Sequence, residues 1–121
     1  MPTPAELDQF IAAHGMWKAR LRQVLASGRS ETPVATIRRD DQCDFGRWLH
    51  GASPADRRAP EYQSIKTLHA RFHVAASRVV ELALAGRRAE AEASMAMGGE
   101  YFQASVELTN AMKGWKRAIA A

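Results

Sequence analysis

The sequence predicts an all-α fold, an antiparallel four-helix bundle with one short helix carrying the only cysteine. Three observations predict it. Ala and Leu are plentiful while β-branched residues are sparse, a composition that favours helices. Apolar residues recur at steps of three and four over long windows. Pro and Gly fall where those periodic stretches begin and end. With 121 residues the chain reads as a single domain, 1–121, long enough to bury roughly two-thirds of its unfolded surface.

Thr3-Pro4-Ala5-Glu6 has the pattern of a capping box with proline at the first helical position. The helix that follows carries Leu7, Phe10, Ile11, His14, Trp17, Leu21, Val24 and Leu25 on one face and ends near Ser27-Gly28. Residues 29–39, RSETPVATIRR, read as a connector. A short helix comes next, with Asp40 or Asp41 as its cap and Gly51 as its stop, carrying Cys43, Phe45, Trp48 and Leu49. ASPADRRAP, residues 52–60, reads as a loop. Pro60-Glu61 opens a long helix whose stripe of Tyr62, Ile65, Leu68, His69, Phe72, His73, Ala76, Val79 and Val80 faces inward, and Gly86 closes it. The last helix runs from near Arg87 to about Ile119, with Gly98-Gly99 predicting a kink or a close packing contact.

Several classes of function are set aside at this point. No apolar run approaches the roughly 18–20 residues needed to span a bilayer, and MPTPAELDQF lacks the basic head and apolar core of a signal peptide. One cysteine makes no internal disulfide, so the expected compartment is the cytoplasm. A net charge of +4 raises the question of nucleic acid. The basic residues, however, come as short pairs such as Arg38-Arg39, Arg57-Arg58, Arg87-Arg88 and Lys116-Arg117, with no recognition motif around them. They read as a solvated surface, with no nucleic-acid or membrane partner.

His69 and His73 lie four apart on a predicted helix, which puts both imidazoles on one face about one turn apart. His14 is a third histidine on an apolar face, where an unpaired ring nitrogen is costly. Cys43, among bulky apolar residues, is a fourth candidate ligand. Three imidazoles and a thiolate make a full tetrahedral shell for Zn²⁺. Calcium and magnesium prefer oxygen, non-haem iron normally takes a carboxylate, and a third strong imidazole opposes a blue-copper geometry. His50, beside Gly51, falls outside the set and reads as a water-facing residue at a helix C-terminus. Trp17 and Trp48 are expected to pack around the site. Asp40, Asp41 or Asp44 either caps a helix or accepts an N–H from a ligating ring, and Gly46 allows a close approach.

Three linked motifs, His14-Gly-Met-Trp17, Cys43-Asp-Phe-Gly-Arg-Trp48 and His69-Ala-Arg-Phe-His73, carry a resemblance. The chain resembles the chemoreceptor zinc-binding domain, a bacterial sensory module. Nearly the whole chain takes part, and the spacings between the motifs suit the family. The resemblance implies a four-helix bundle, usually a homodimer, holding zinc through His14, Cys43, His69 and His73. It implies sensing of zinc or of oxidants such as hypochlorous acid, with output to chemotaxis or cyclic-di-GMP turnover. Such domains commonly sit at the end of a chemoreceptor or beside a cyclic-di-GMP synthase. No such partner is attached here, so the chain is expected to be a stand-alone member or a domain of a longer protein.

A sensor also follows from the chemistry of the ligands. The sulfur is the only anionic ligand and the only redox-active one, so its oxidation weakens the site. With all four positions filled by protein, the site leaves no place for substrate, and an enzyme is not expected. The alternative reading is a structural zinc staple in a helical docking module. Ligation by neutral histidines and a thiolate further predicts zinc affinity falling below about pH 6 to 6.5.

Overall fold

The computed structural model describes residues 2–120. Among these residues there are helices and connecting segments and no strand, so the chain is all-α. No helix among them is long and apolar enough to cross a membrane.

The first helix, α1 (Pro4–Ser27), begins and ends where the sequence places it. The Glu6 backbone N–H donates to the Thr3 hydroxyl at 3.1 Å, and the Thr3 N–H donates back to the Glu6 carboxylate at 3.0 Å. Two of the donors that every helix start leaves unpaired are thereby satisfied. Gly28 closes the helix at φ 70°, the left-handed conformation that glycine adopts without cost.

The middle of the chain holds more helix than the sequence announces. The connector contains α2 (Val34–Arg38), started by Pro33, and the expected loop contains a single turn, α4 (Pro54–Arg57), capped by the Ser53 hydroxyl. Both are too short to show a helical period. Between them lies α3 (Asp44–His50), ending at Gly51 as expected. Its cap differs from the expectation: neither Asp40 nor Asp41 holds the start. Cys43 does, its sulfur accepting the Gly46 N–H at 3.3 Å. The two carboxylates are engaged elsewhere, Asp40 with His50 and Asp41 with Arg39.

The long helix α5 (Pro60–Leu84) buries the predicted stripe, except that Leu68 is only half-buried. Gly98-Gly99 does more than kink the last helix. It splits it into α6 (Arg88–Met95) and α7 (Glu100–Ala120). Gly98 sits at φ 87°, and a Cβ on Gly99 would lie 2.3 Å from the carbonyl oxygens of Ala93 and Ser94. Seven helical segments therefore stand where four were predicted, among the described residues.

Helix α5 is the hub, packing against α1, α2, α6 and α7. Arg71 pairs with Glu107 at 3.0 Å and Arg78 with Glu100, so α5 and α7 run in opposite directions. Lys116 meets Asp8 at 2.8 Å, which sets α7 opposite to α1 as well. Along α1 and α5 the numbering rises together: His14 lies against His69, and Trp17 against His73. Those two helices run the same way, and the stretch holding α2, α3 and α4 carries the chain back between them. The core is apolar and well filled, with Leu7 and Leu21 of α1, Phe72 and Val79 of α5, and Met112 and Trp115 of α7 almost fully buried.

α3 is held by Phe45 and Leu49, both buried, and by the Tyr62 hydroxyl, which donates to the Leu49 carbonyl at 2.5 Å. Tyr62 is itself 2% exposed, so water cannot replace that bond. Tyr62→Phe removes the shortest donor to the Leu49 carbonyl, leaving it the longer Ala52 N–H at 3.4 Å, and is expected to cost about 1 kcal/mol. Thermal unfolding checks this; an unchanged melting temperature would mean that the hydroxyl does not anchor α3.

Candidate metal centre

Four side chains from three segments converge on one point. His14 comes from the middle of α1, His69 and His73 from successive turns of α5, and Cys43 from the start of α3. One ring nitrogen of each histidine and the sulfur all lie within 4.8 Å of one another. His69 Nε2 is 3.0 Å from His14 Nε2 and 3.1 Å from His73 Nε2. The sulfur is 3.2 Å from His69, 3.5 Å from His73 and 3.9 Å from His14. A tetrahedral zinc shell with bonds of about 2.0–2.1 Å to nitrogen and 2.3 Å to sulfur has edges of about 3.3–3.6 Å. Five of the six separations, from 3.0 to 3.9 Å, bracket those edges, and the His14–His73 pair lies within 4.8 Å.

The tautomers sharpen the picture. His14 Nδ1 lies 2.8 Å from the Phe10 carbonyl oxygen, and His73 Nδ1 lies 2.9 Å from that of Ile37. A carbonyl only accepts, so each Nδ1 carries the proton and donates, and each Nε2 presents a bare lone pair. Burial, before any other cause, pushes the His14 pKa down to about 4 and that of His69 to about 2, and it lowers that of His73. All three rings are therefore neutral near pH 7. Burial also raises the Cys43 thiol above its ordinary value, against the opposing pull of the Gly46 N–H.

Protons alone serve this arrangement poorly. Inside the group the thiol and His69 can each offer a proton to one of two bare lone pairs, but whichever nitrogen of His69 carries its proton, Nδ1 stays unmet. His69 is 0% exposed, and its Nδ1 has no partner. Close lone pairs in a dry pocket repel, and a cation at their centre would satisfy them all. The donor set fits a metal ion.

The surroundings correct two expectations. Trp17 does meet the site, edge-on to His73 at 5.9 Å. Trp48 does not: it stacks on Phe45 at 6.3 Å and meets Trp115 at 5.7 Å. Phe45 is the ring that reaches the histidines, 5.7 Å from His14 and 5.2 Å from His69. None of Asp40, Asp41 and Asp44 accepts from a converging imidazole. Asp40 pairs with His50, Asp41 with Arg39 and Asp44 with Arg47, and backbone carbonyls take the orienting role. The Phe10 carbonyl was legible as the group four residues before His14 on one helix. The Ile37 carbonyl was not, because it depends on α2. His50 is exposed and outside the group, as expected. Gly46 does permit a close approach, to the Asp40 backbone.

Fold and group together define a helical domain built around a candidate metal site. A sequence profile of the chemoreceptor zinc-binding domain matches residues 14–80, a little over half of the chain and inclusive of all four converging residues. The chain belongs to the chemoreceptor zinc-binding domain family. Comparison with curated proteins and with solved structures gives no match.

Proposed function

We propose that this chain is a zinc-binding sensory domain, with His14, Cys43, His69 and His73 as the ligands and Cys43 as the point where a signal acts. What carries the reading is the convergence of two bare ring nitrogens, the His69 ring and one sulfur at tetrahedral spacing, in a member of this family. Bound zinc would supply the positive charge that gathers the donors and keeps the sulfur ionised. Imidazole and thiolate suit zinc better than the oxygen-seeking cations. The chain's own contribution is orientation and exclusion. Two backbone carbonyls fix two rings, while Phe45, Phe72 and Trp17 keep water away.

Cys43 is half-buried where the three rings are buried, so it is the member of the group nearest to solvent. As a thiolate it gives two electrons to the chlorine of hypochlorous acid, forming an S–Cl bond as hydroxide leaves; water then displaces chloride from sulfur, giving the sulfenic acid and a proton. The same sulfur accepts the Gly46 N–H that starts α3. Oxidation would thus weaken a ligand and a helix cap together, releasing α3 while α1, α5 and α7 stay packed. That makes a two-state element of the kind a switch needs. The protein would act as a cytoplasmic homodimer that passes the change to a chemoreceptor or a cyclic-di-GMP enzyme. With four protein donors filling the shell, an enzyme is not proposed. Nor is a nucleic-acid partner, since Arg38, Arg39, Arg87, Arg88 and Lys116 are already paired with carboxylates.

Elemental analysis should find zinc in the purified protein and much less in Cys43→Ser. Hypochlorous acid should then release zinc from the loaded protein, with oxidation first at Cys43 and faster hydrogen exchange confined to α3. Retained zinc with no preferential reaction at Cys43 would leave the staple, a metal that only ties α3 to the long helices.

The proton count gives a second check. Between pH 7 and 8 the folded histidines are neutral, and the raised thiol pKa keeps Cys43 protonated until a metal displaces its proton. One proton released per zinc means that affinity rises about tenfold per pH unit in this range. Cys43→Ala should flatten that slope; a slope retained without the thiol would remove Cys43 from the ligand set.

A further inference from the structure

A cleft of about 540 Å³ opens beside the metal group, between the C-terminal half of α1, residues 29–32 and the far end of α5. Its size is that of a small-molecule site rather than of an extended peptide groove. The apolar surface that the cleft exposes comes from Val24 and the edge of Trp17, over Leu21 and Val80 buried beneath them. The charged residues on it are Arg20, Arg29 and Glu31. We infer that this cleft is a second binding site, for a small monoanion with an apolar body such as an aromatic carboxylate.

Arg20 carries most of the argument. Its guanidinium carbon lies 3.9 Å from the centre of the Trp17 ring. A guanidinium stacked through its face keeps the N–H donors at its edge, where a carboxylate takes two of them in a fixed fork. Neither Arg20 nor Arg29 forms an ion pair among the described residues; Arg22, Arg58 and Arg117 are also without one, but they lie off the cleft. Two arginines against Glu31 leave a single positive charge, which favours a monoanion over a dianion. Trp17 also touches His73, so a ligand held at the edge of the Arg20–Trp17 stack would sit close to the metal group.

The test titrates zinc-loaded protein with phenylacetate, phenylacetamide and phenyl phosphate, followed by ligand-observed NMR. Phenylacetate should saturate, with the neutral amide and the dianion each about tenfold weaker or more. Arg20→Gln, a change at an exposed position, should weaken phenylacetate about tenfold while circular dichroism stays that of the wild type. Arg29→Gln should act in the same direction. No saturation below about 10 mM, or acid and amide binding alike, or full affinity in Arg20→Gln would overturn the assignment. No metal ligand is altered in these variants, so failure here leaves the zinc reading intact.

Discussion

Replacing His69 with leucine is expected to abolish tight zinc binding and, in the same protein without metal, to raise the melting temperature. The two effects have one origin. His69 is fully buried, its Nδ1 has no partner, and its Nε2 faces two other ring nitrogens at 3.0 and 3.1 Å. Without a cation Nδ1 is a buried polar atom with nothing to bond to, and an apolar side chain of comparable size removes that desolvation cost. The metal-free variant should gain about 1–2 kcal/mol, read as a rise of a few degrees in thermal unfolding. With zinc the sign reverses. Apparent binding energies of about 10–16 kcal/mol in small zinc domains, shared among four ligands, give roughly 3 kcal/mol each, so affinity should drop about a hundredfold or more. The pH dependence follows the same logic. The unfolded chain protonates its histidines near 6.5, while the folded metal-free protein holds His14 down to about 4 and His69 to about 2. Stability without metal is therefore intact above pH 6.5 and is lost as pH falls below it, and His69→Leu should lose less. Chelator competition and melting curves from pH 7.5 to 5 read all three effects. A metal-free variant that melts below the wild type would mean that His69 packs and bonds as an ordinary core residue.

That conflict between stability and binding also explains what the sequence revealed. Three histidines on apolar faces break the usual rule that buried positions go to apolar residues, and the break is visible without coordinates. So are the long helices, because Leu7 to Leu25 and Tyr62 to Val80 keep a helical period over several turns, and Thr3, Gly28 and Pro60 punctuate them. What stayed hidden depends on atoms that carry no pattern. α2 and α4 last five and four residues. The Ile37 carbonyl that orients His73 is backbone, which any residue supplies. Cys43 as a helix cap was concealed by better oxygen acceptors nearby, Asp40 and Asp41, both engaged by other side chains. Trp48 shares its motif with Cys43, yet the ring that meets the histidines is Phe45. On so short a helix, which aromatic turns inward is decided by packing rather than by period.

Gly46→Ala should be the most damaging change outside the four converging residues. A Cβ at Gly46 would fall 1.8 Å from the Asp40 carbonyl oxygen, 2.8 Å from its carbon and 3.1 Å from the Asp41 Cα. All three are backbone atoms, so no rotamer change relieves the clash. Either residues 40–41 or the first turn of α3 must move by more than an ångström. The first turn of α3 is where Cys43 points its sulfur at the rings and accepts the Gly46 N–H, and metal bonds tolerate about 0.2 Å. The expected outcome is a loss of about 1–3 kcal/mol in stability and a drop of about 10- to 100-fold in zinc affinity, with the helicity of α1, α5 and α7 retained. Gly15→Ala is the matched control. Gly15 follows His14 directly, lies exposed within α1, and has nothing within 4 Å of where its Cβ would stand. There alanine should stabilise by about 0.5–1 kcal/mol and leave zinc binding alone, because it only restricts the unfolded chain and favours the helix. The same methyl group, placed beside two different members of the site, should thus shift the melting temperature in opposite directions. If both variants shift it alike, the close passage of α3 over Asp40 does not position the sulfur.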